Sequence, residues 1–339
     1  VFGNDGYMGT AITKRGNKKL TWETTSEFNI GLDLGFFDNR ISLSMEYYNR
    51  IISDLLVSNK SLPAYNEINT IAANIGKTQG RGFELTLSTV NIMNKDWTWS
   101  TDFTFYTFKD NWYERDPNWK PAAYESKKDP IRSYYSYVSD GLLQVGEKAP
   151  AWQPTLVPGQ IKLKNLYDTG TSPNVLDQYD KVNLGSQDPK CTLGLNNTLR
   201  YKNLDFNIYF YGEIGRLRGA SYYDAWIVGL GNSLTNVSQQ SLHSYTNANQ
   251  NTTVPNLIES AYDFGDYYHK KINYLRCRNI TLGYTIPVSK SIANSVRISA
   301  NVSNPFVFTN WNGVDPETDT GNFSYPNVTS FSFGIDISF

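Results

Sequence analysis

Few residues in this chain are of types that do covalent chemistry. Histidine occurs twice, at His243 and His269. No H-E-x-x-H, G-x-S-x-G, C-x-x-C or phosphate-binding glycine loop accompanies them. A lone histidine in a polar stretch reads as a solvated side chain rather than a base or a ligand. Carboxylates are plentiful but scattered, as on any surface. One stretch raises a metal question: NLYDTGTSPNVLDQYDK, residues 165–181. Asn165, Asp168, Asp177 and Asp180 could give hard oxygen ligands to an ion such as Ca²⁺. The spacing is not that of an EF-hand, and Asp, Gly and Ser are turn residues in their own right. A solvated turn is the preferred reading there and a metal the weak alternative. No cofactor is expected, and the chain reads as a non-enzyme.

Aromatic residues are the other candidates. The chain has 24 Tyr, 17 Phe and 8 Trp. They cluster in NWYERDPNW (111–119), SYYSY (133–137) and SYYDAWIVGLG (221–231). Tyr and Trp give flat, amphipathic contact at low entropy cost, which suits a binding surface. Trp112, Tyr134, Tyr135, Tyr222, Tyr223 and Trp226 are therefore candidate substrate contacts, for example stacking platforms for a sugar. Packing of one loop on another is the equally weighted alternative.

These residues must be held by something, and the alternation of apolar and polar residues says what. In EFNIGLDLGFFDNRISLSMEYYNR (27–50), Phe28, Ile30, Leu32 and Leu34 share one face, and Asn29, Gly31, Asp33 and Gly35 the other. Beyond Asp38-Asn39 the pattern resumes at Ile41, Leu43, Met45 and Tyr47. A period of two marks a strand, and Asp-Asn tolerates the left-handed backbone of a tight hairpin. Nine segments repeat this: 27–35, 40–50, 80–90, 96–107, 191–201, 204–213, 277–285, 295–304 and 329–339. No segment sustains a helical stripe, and no run of 18 apolar residues encodes a membrane helix.

The connections alternate in length. Short ones (36–39, 91–95, 202–203, 286–294) take turns with long ones (51–79, 108–190, 214–276, 305–328). An outer-membrane barrel does this, with short periplasmic turns and long extracellular loops. A soluble sandwich, the competing reading, has no reason to sort loops by length. The expected fold is thus all-β, a transmembrane antiparallel β-barrel. Lipid covers Phe28–Leu34 and Ile41–Tyr47 on one face, and the polar row lines a wet lumen or a plug. Tyr47, Tyr48, Trp97, Trp99 and Tyr201 suit the interfacial girdles. Net charge is −1, so no strong overall field draws nucleic acid. By alternation Cys191 falls on an apolar face and Cys277 on a polar one, which disfavours a disulfide. Nine strands is an odd count, and lipid tolerates no open edge. The expectation is that 1–339 is the C-terminal part of a larger barrel, a fragment or processed product whose closing strands lie upstream.

Several stretches together resemble one family. KKLTWETTSEFNIGLDLGFFDNR carries an L-x-W-E segment and hairpin, through Leu20, Trp22, Glu23, Gly31 and Asp33. NIGKTQGRGFELTL supplies Asn74, Gly76, Gly82 and Glu84. YVSDGLLQ and VPGQIK supply Asp140, Gly141, Pro158, Gly159, Ile161 and Lys162. The most specific is YLRCRNITLGYTIP, through Tyr274, Leu275, Arg276, Asn279, Leu282, Gly283, Tyr284 and Pro287. SNPFVFTNWNGVDPE follows, with Asn304, Gly313, Asp315, Pro316 and Glu317. In order and spacing the chain resembles the barrel of a SusC/RagA-type TonB-linked outer-membrane transporter of Bacteroidota. The resemblance implies a 22-stranded barrel with an N-terminal plug absent from this chain. It also implies a SusD-like surface lipoprotein as a lid, energy from the TonB-ExbB-ExbD system, contact with bilayer and lipopolysaccharide, and import of oligosaccharides or peptides. Where the family continues K-D-x-N-G-D-G, this chain has KNLYDTGTSPNVLD, which dilutes any structural ion site there. A binding or adhesive barrel that transports nothing, and an outer-membrane hydrolase, are the alternative functions.

Overall fold

The computed structural model describes residues 16–62, 70–117, 120–167, 174–219, 239–256, 264–288, 294–313, 315–318 and 325–339. In chain order the strands are β1 (Thr24–Phe36), β2 (Ile41–Ser53), β3 (Leu56–Ser61), β4 (Thr70–Asn74), β5 (Lys77–Met93), β6 (Trp97–Glu114), β7 (Ser133–Ser136), β8 (Ser139–Leu142), β9 (Ile161–Leu163), β10 (Val182–Ser186), β11 (Cys191–Tyr201), β12 (Leu204–Gly219), β13 (His269–Ile286), β14 (Ser295–Thr309) and β15 (Ser330–Ser338). One antiparallel sheet of nine strands runs β1-β2-β5-β6-β11-β12-β13-β14-β15. These are the nine segments picked out by alternation, each paired with its neighbours in sequence.

Register explains why the period is so strict. Leu34, Leu43, Leu87, Phe103, Leu195, Phe210, Cys277 and Phe306 stand side by side across eight strands. A slip of one residue would turn such a row to the opposite face. Among the described residues no second sheet covers this face. Phe333 is 85% and Ile335 70% exposed, and Phe28, Ile30 and Ile298 are exposed too. A sandwich would have buried them, so this is the outer, lipid-facing side of a barrel wall. Near the short turns the outer face turns polar, but its groups satisfy one another. Asn197 Oδ1 accepts from Thr101 Oγ1 at 2.8 Å and from Trp99 Nε1 at 3.1 Å. Trp97 and Tyr201 meet beside them, ring centres 4.3 Å apart and tilted by 34°, as suits an interfacial girdle.

The short connections are built from turn chemistry. Asp38 (φ 53°) and Asn39 (φ 60°) are both left-handed, and the Arg40 N–H donates to Phe37 O at 3.1 Å. This is the primed turn that suits strand twist. Asn94 Oδ1 accepts from the N–H groups of Asp96 (3.1 Å) and Trp97 (2.8 Å) and closes the next turn.

At the other end the strands outrun any bilayer. A crossing needs about 9–11 tilted residues, whereas β6 and β13 have 18 each. The long connections are correspondingly shorter than alternation implies, and they carry strands of their own. β3 pairs with β4, β7 with β10, and β8 with β9. Leu142, Ile161, Leu163, Tyr245 and Tyr268 bury one another there, with Tyr137, Phe264, Tyr267 and Trp311 packed around them.

One placement from alternation is overturned. Cys277 does not lie on the polar face. The register passes from Asn279↔Tyr209 to Cys277↔Phe210 with Arg278 left over. A β-bulge takes one extra residue and inverts the faces beyond it. Cys277 is fully buried in the outer apolar row, between Phe210 and Phe306. It is a free thiol, as is Cys191 on the same face. The bulge also turns both Arg276 and Arg278 inward.

Candidate functional site

The inner face of the sheet is a continuous polar wall. Ser88 Oγ donates to Asp102 Oδ1 at 2.7 Å, Asn196 Nδ2 to Asp102 Oδ2 at 3.4 Å, and Asn207 Nδ2 to Asn196 Oδ1 at 2.8 Å. The row resumes on β13 and β14, where the Nδ2 groups of Asn279 and Asn301 both donate to Thr281 Oγ1, at 2.9 and 2.8 Å. Nearer the long connections the hydroxyls of Tyr48 and Tyr106 meet at 2.8 Å. Amides and hydroxyls both donate and accept, so the wall can exchange partners with water or a polar solute.

Where the inner wall meets the connection 310–329, four charges lock together. The Arg276 guanidinium is 4% exposed and reaches Asp315 Oδ2 at 3.0 Å and Glu317 Oε1 at 2.5 Å. Arg278 holds the other Glu317 oxygen at 2.7 Å. Arg218 Nη1 donates to Pro316 O at 2.5 Å, and its guanidinium lies 5.2 Å from the Trp311 ring centre. Asp315 accepts the N–H groups of Glu317 (2.8 Å) and Asn327 (2.9 Å). Burial pushes the Asp315 carboxyl up, but those two donors and Arg276 outweigh it and hold it below the usual carboxylate range. Buried charges persist only when paired and hydrogen-bonded in this way. The motif residues Arg276, Asp315, Pro316 and Glu317 thus meet in one knot across 39 positions of sequence.

Beside the knot three long connections enclose a cavity of about 450 Å³. Its walls include Ser139, Pro255, Asp266, Tyr267, Lys270 and Trp311. Asp266 is fixed by the Ser139 N–H at 2.7 Å. Two aromatic faces, a carboxylate and an ammonium in one recess suit a polar, ring-bearing or zwitterionic solute. Behind it Gly159 (φ 88°) packs on Tyr245, where a side-chain Cβ would fall 2.5 Å from the ring. That accounts for the glycine of the P-G-x-I-K stretch.

The residues picked out from sequence are placed as follows. Trp112 is half-buried at the far end of β6, with the Arg115 guanidinium 5.4 Å from its ring. Tyr134 stacks on His269, centres 4.3 Å apart. Tyr135 donates to Asp129 Oδ2 at 2.7 Å, and burial together with that carboxylate pushes its phenol up. Tyr222, Tyr223, Trp226 and Asp168 lie outside the described residues. Asp180 is fully buried, and its oxygens accept the N–H groups of Leu166 (2.6 Å), Tyr167 (3.0 Å) and Asp177 (2.9 Å). Asp177 caps the same short turn through the Tyr179 N–H at 2.8 Å. His243 is exposed. Among the described residues no group of three or more His, Cys, Asp or Glu is placed to hold a metal. Sequence reasoning did not single out Tyr267 or Trp311 as contacts, nor the pairing of Arg276 with Asp315. Trp311, Arg276 and Asp315 lie in the quoted motifs, whereas Tyr267 carries no local signal.

The chain's relatives agree with this architecture. Residues 2–304 match the family model described as TonB dependent receptor-like, beta-barrel. TonB-dependent receptor P3 of Formosa agariphila is 29% identical over 370 residues, covering 100% of this chain and 36% of the relative. TonB-dependent receptor SusC of Bacteroides thetaiotaomicron is 28% identical over 350 residues, covering 99% and 34%. The chain spans about a third of the length of these relatives. In backbone it follows a chain of the RagAB peptide transporter with a TM-score of 0.78, at 24% identity, over 100% of this chain and 38% of that one.

Proposed function

The chain belongs to the TonB dependent receptor-like β-barrel family of the outer membrane, and from that premise we propose that it forms part of a TonB-driven nutrient importer. In this reading the nine strands are one arc of a larger closed barrel, consistent with edges β1 and β15 that pair on one side only. The long connections face outward and the short turns face the periplasm. A plug supplied elsewhere in the protein occupies the lumen, and a SusD-like lipoprotein covers the outer mouth. The cargo is a short oligosaccharide or oligopeptide. RagAB, whose backbone this chain follows, is a peptide transporter, which supports the second class.

The observation that carries the reading is the two-faced wall joined to a mixed-polarity recess. One face has an unpartnered apolar surface and the other a hydrogen-bonded row of Asn, Thr and Ser. Tyr267, Trp311, Asp266 and Lys270 gather at the end where the strands outgrow the bilayer. Nothing in this geometry performs bond chemistry; transport by such a wall is binding followed by a conformational step. The test is uptake of defined oligosaccharide and peptide mixtures by cells carrying the full-length receptor, with and without a functional TonB. Import of one class that disappears without TonB supports the proposal. Equal retention of ligand at the surface in both backgrounds, with none internalised, points to a binding barrel.

A further inference from the structure

The outer face carries a second feature that import does not use. Beyond the apolar band, basic side chains line up across the strands. Arg81 on β5 and Lys109 on β6 are direct register partners, and both are exposed. Both share the outward face with Phe83 and Phe105, whose rings pack at 6.4 Å. Like charges directly opposite each other in a sheet destabilise it. The Arg81 guanidinium donates only to the neutral Gln79 Oε1, at 3.0 Å. Lys190, just before β11, and Lys271, on β13, extend the row. With Lys109 they line a notch of about 370 Å³. Two carboxylates also line it, but Asp188 is paired with Arg132 at 2.7 Å and Asp110 accepts the Ile131 N–H at 3.3 Å. Among the described residues Arg81, Lys109, Lys190 and Lys271 have no ion-pair partner. The surroundings thus hold four cations on a surface that faces lipid just below.

Depth identifies what meets them. From Trp97, in the girdle at the turn end, to Lys109 is twelve residue steps along β6. At ~3.3 Å per residue and a tilt near 40° that is about 30 Å, the thickness of a hydrocarbon core. Leu275, Ile214 and Phe308 are exposed apolar residues towards that end of the wall. The basic row therefore sits at headgroup level, on the outward side of the wall. We propose that Arg81, Lys109, Lys190 and Lys271 form a binding site for the phosphate of an anionic lipid headgroup in the outer leaflet. The long stems lie along apolar surface while the charged tips meet phosphate. The near-zero net charge of the chain conceals the site, because most of its carboxylates lie elsewhere and the two in the notch are engaged by Arg132 and the Ile131 N–H.

The inference rests on the orientation proposed above, with the long connections outward, and not on cargo. The experiment uses the full-length receptor in detergent, titrated with dioleoylphosphatidic acid, dioleoylphosphatidylcholine or inorganic phosphate, with bound lipid read by native mass spectrometry. Phosphatidic acid should be retained over phosphatidylcholine by at least about tenfold. The triple variant R81Q/K109Q/K271Q should lose that preference, whereas K95Q at the turn end should keep it. Lys190 is left intact because its stem packs over Gly215. Unchanged preference in the triple variant, or equal loss in K95Q, overturns the site. Displacement by inorganic phosphate at matched concentration overturns the lipid assignment in favour of a soluble anion. Amine labelling of the unsubstituted receptor, with and without phosphatidic acid, gives a readout that needs no variant: Lys109 and Lys271 should be protected and Lys95 not. Impermeant labelling of exposed Lys127 and Lys128 on intact cells tests orientation alone, so a failure there is distinguishable from a failure of the site.

Discussion

Arg297 lies across Gly283 to reach Asp205, two strands away. Its Nη2 meets Asp205 Oδ2 at 2.7 Å and its Nε meets Oδ1 at 3.1 Å. A Cβ on Gly283 would stand 2.6 Å from both carboxylate oxygens and would overlap the guanidinium as well. The glycine of the L-G-Y motif is thus a groove for a bidentate ion pair. Gly283→Ala should destabilise the barrel by about 1 kcal/mol, modest because the pair is partly solvated. In a background already carrying Asp205→Ala the same change should have almost no effect. Heat-modifiability of the folded band across this double-mutant cycle checks it, and a full additive loss in the double variant refutes the groove.

Arg276→Ala should be far more damaging. It leaves Asp315 and Glu317 buried without their shared cation, which costs about 3–5 kcal/mol. The connection 310–329 should then release and become the first site of proteolytic cleavage. Cleavage at the unsubstituted rate would count against the knot.

Docking of the same connection should depend on acid. Asp315 has its carboxyl held below the ordinary value of 3.8, and its arginine partner stays charged throughout. The depressed folded-state value means that the stabilisation is fully present above about pH 5. It is lost as pH falls below 3.8 towards the lowered value. Trp311 emission followed from pH 7 to 3 should report release only in that acid range, and Asp315→Asn should remove the transition. A step near neutrality would assign the release to another group.

Charge on the two faces should have opposite outcomes. Leu43→Arg or Ile335→Arg puts a cation on the lipid side, at about 2–4 kcal/mol near the midplane. Ser44→Arg puts it on the wet side. Assembly yield in the outer membrane should fall for the first two and hold for the third; equal yields would refute the face assignment.

Trp311 joins the recess to the knot. Trp311→Ala should weaken cargo binding by about tenfold or more, as loss of a buried aromatic anchor does. Calorimetry with the imported compound reads this directly, and unchanged affinity would remove the recess from the binding site.

The long strands were legible because their two faces meet different solvents, so every second residue from Phe28 to Leu34 had to be apolar. The same logic misplaced Cys277, because a single unpaired residue, Arg278, inverts the count and nothing local in RCRNIT announces it. The strands within the long connections left weaker marks. β9 is three residues, IKL, and its apolar side chains pack into a loop core rather than against lipid. The knot was invisible for another reason. Arg276 and Asp315 were both quoted in motifs, but pairing at that separation leaves no periodic trace. The basic row of Arg81, Lys109, Lys190 and Lys271 comes from β5, β6, the turn before β11 and β13, so no single stretch of sequence announces it.

Leu142, Ile161 and Leu163 come from one long connection and Tyr245 and Tyr268 from the next, yet they share a single dry centre. Two stretches welded in this way cannot travel separately. Any rearrangement of the mouth must carry both as one rigid knob, bending where β6, β12 and β13 leave the sheet. The two stretches are thereby bound to evolve as one: a bulky insertion at the centre from either side dislodges both.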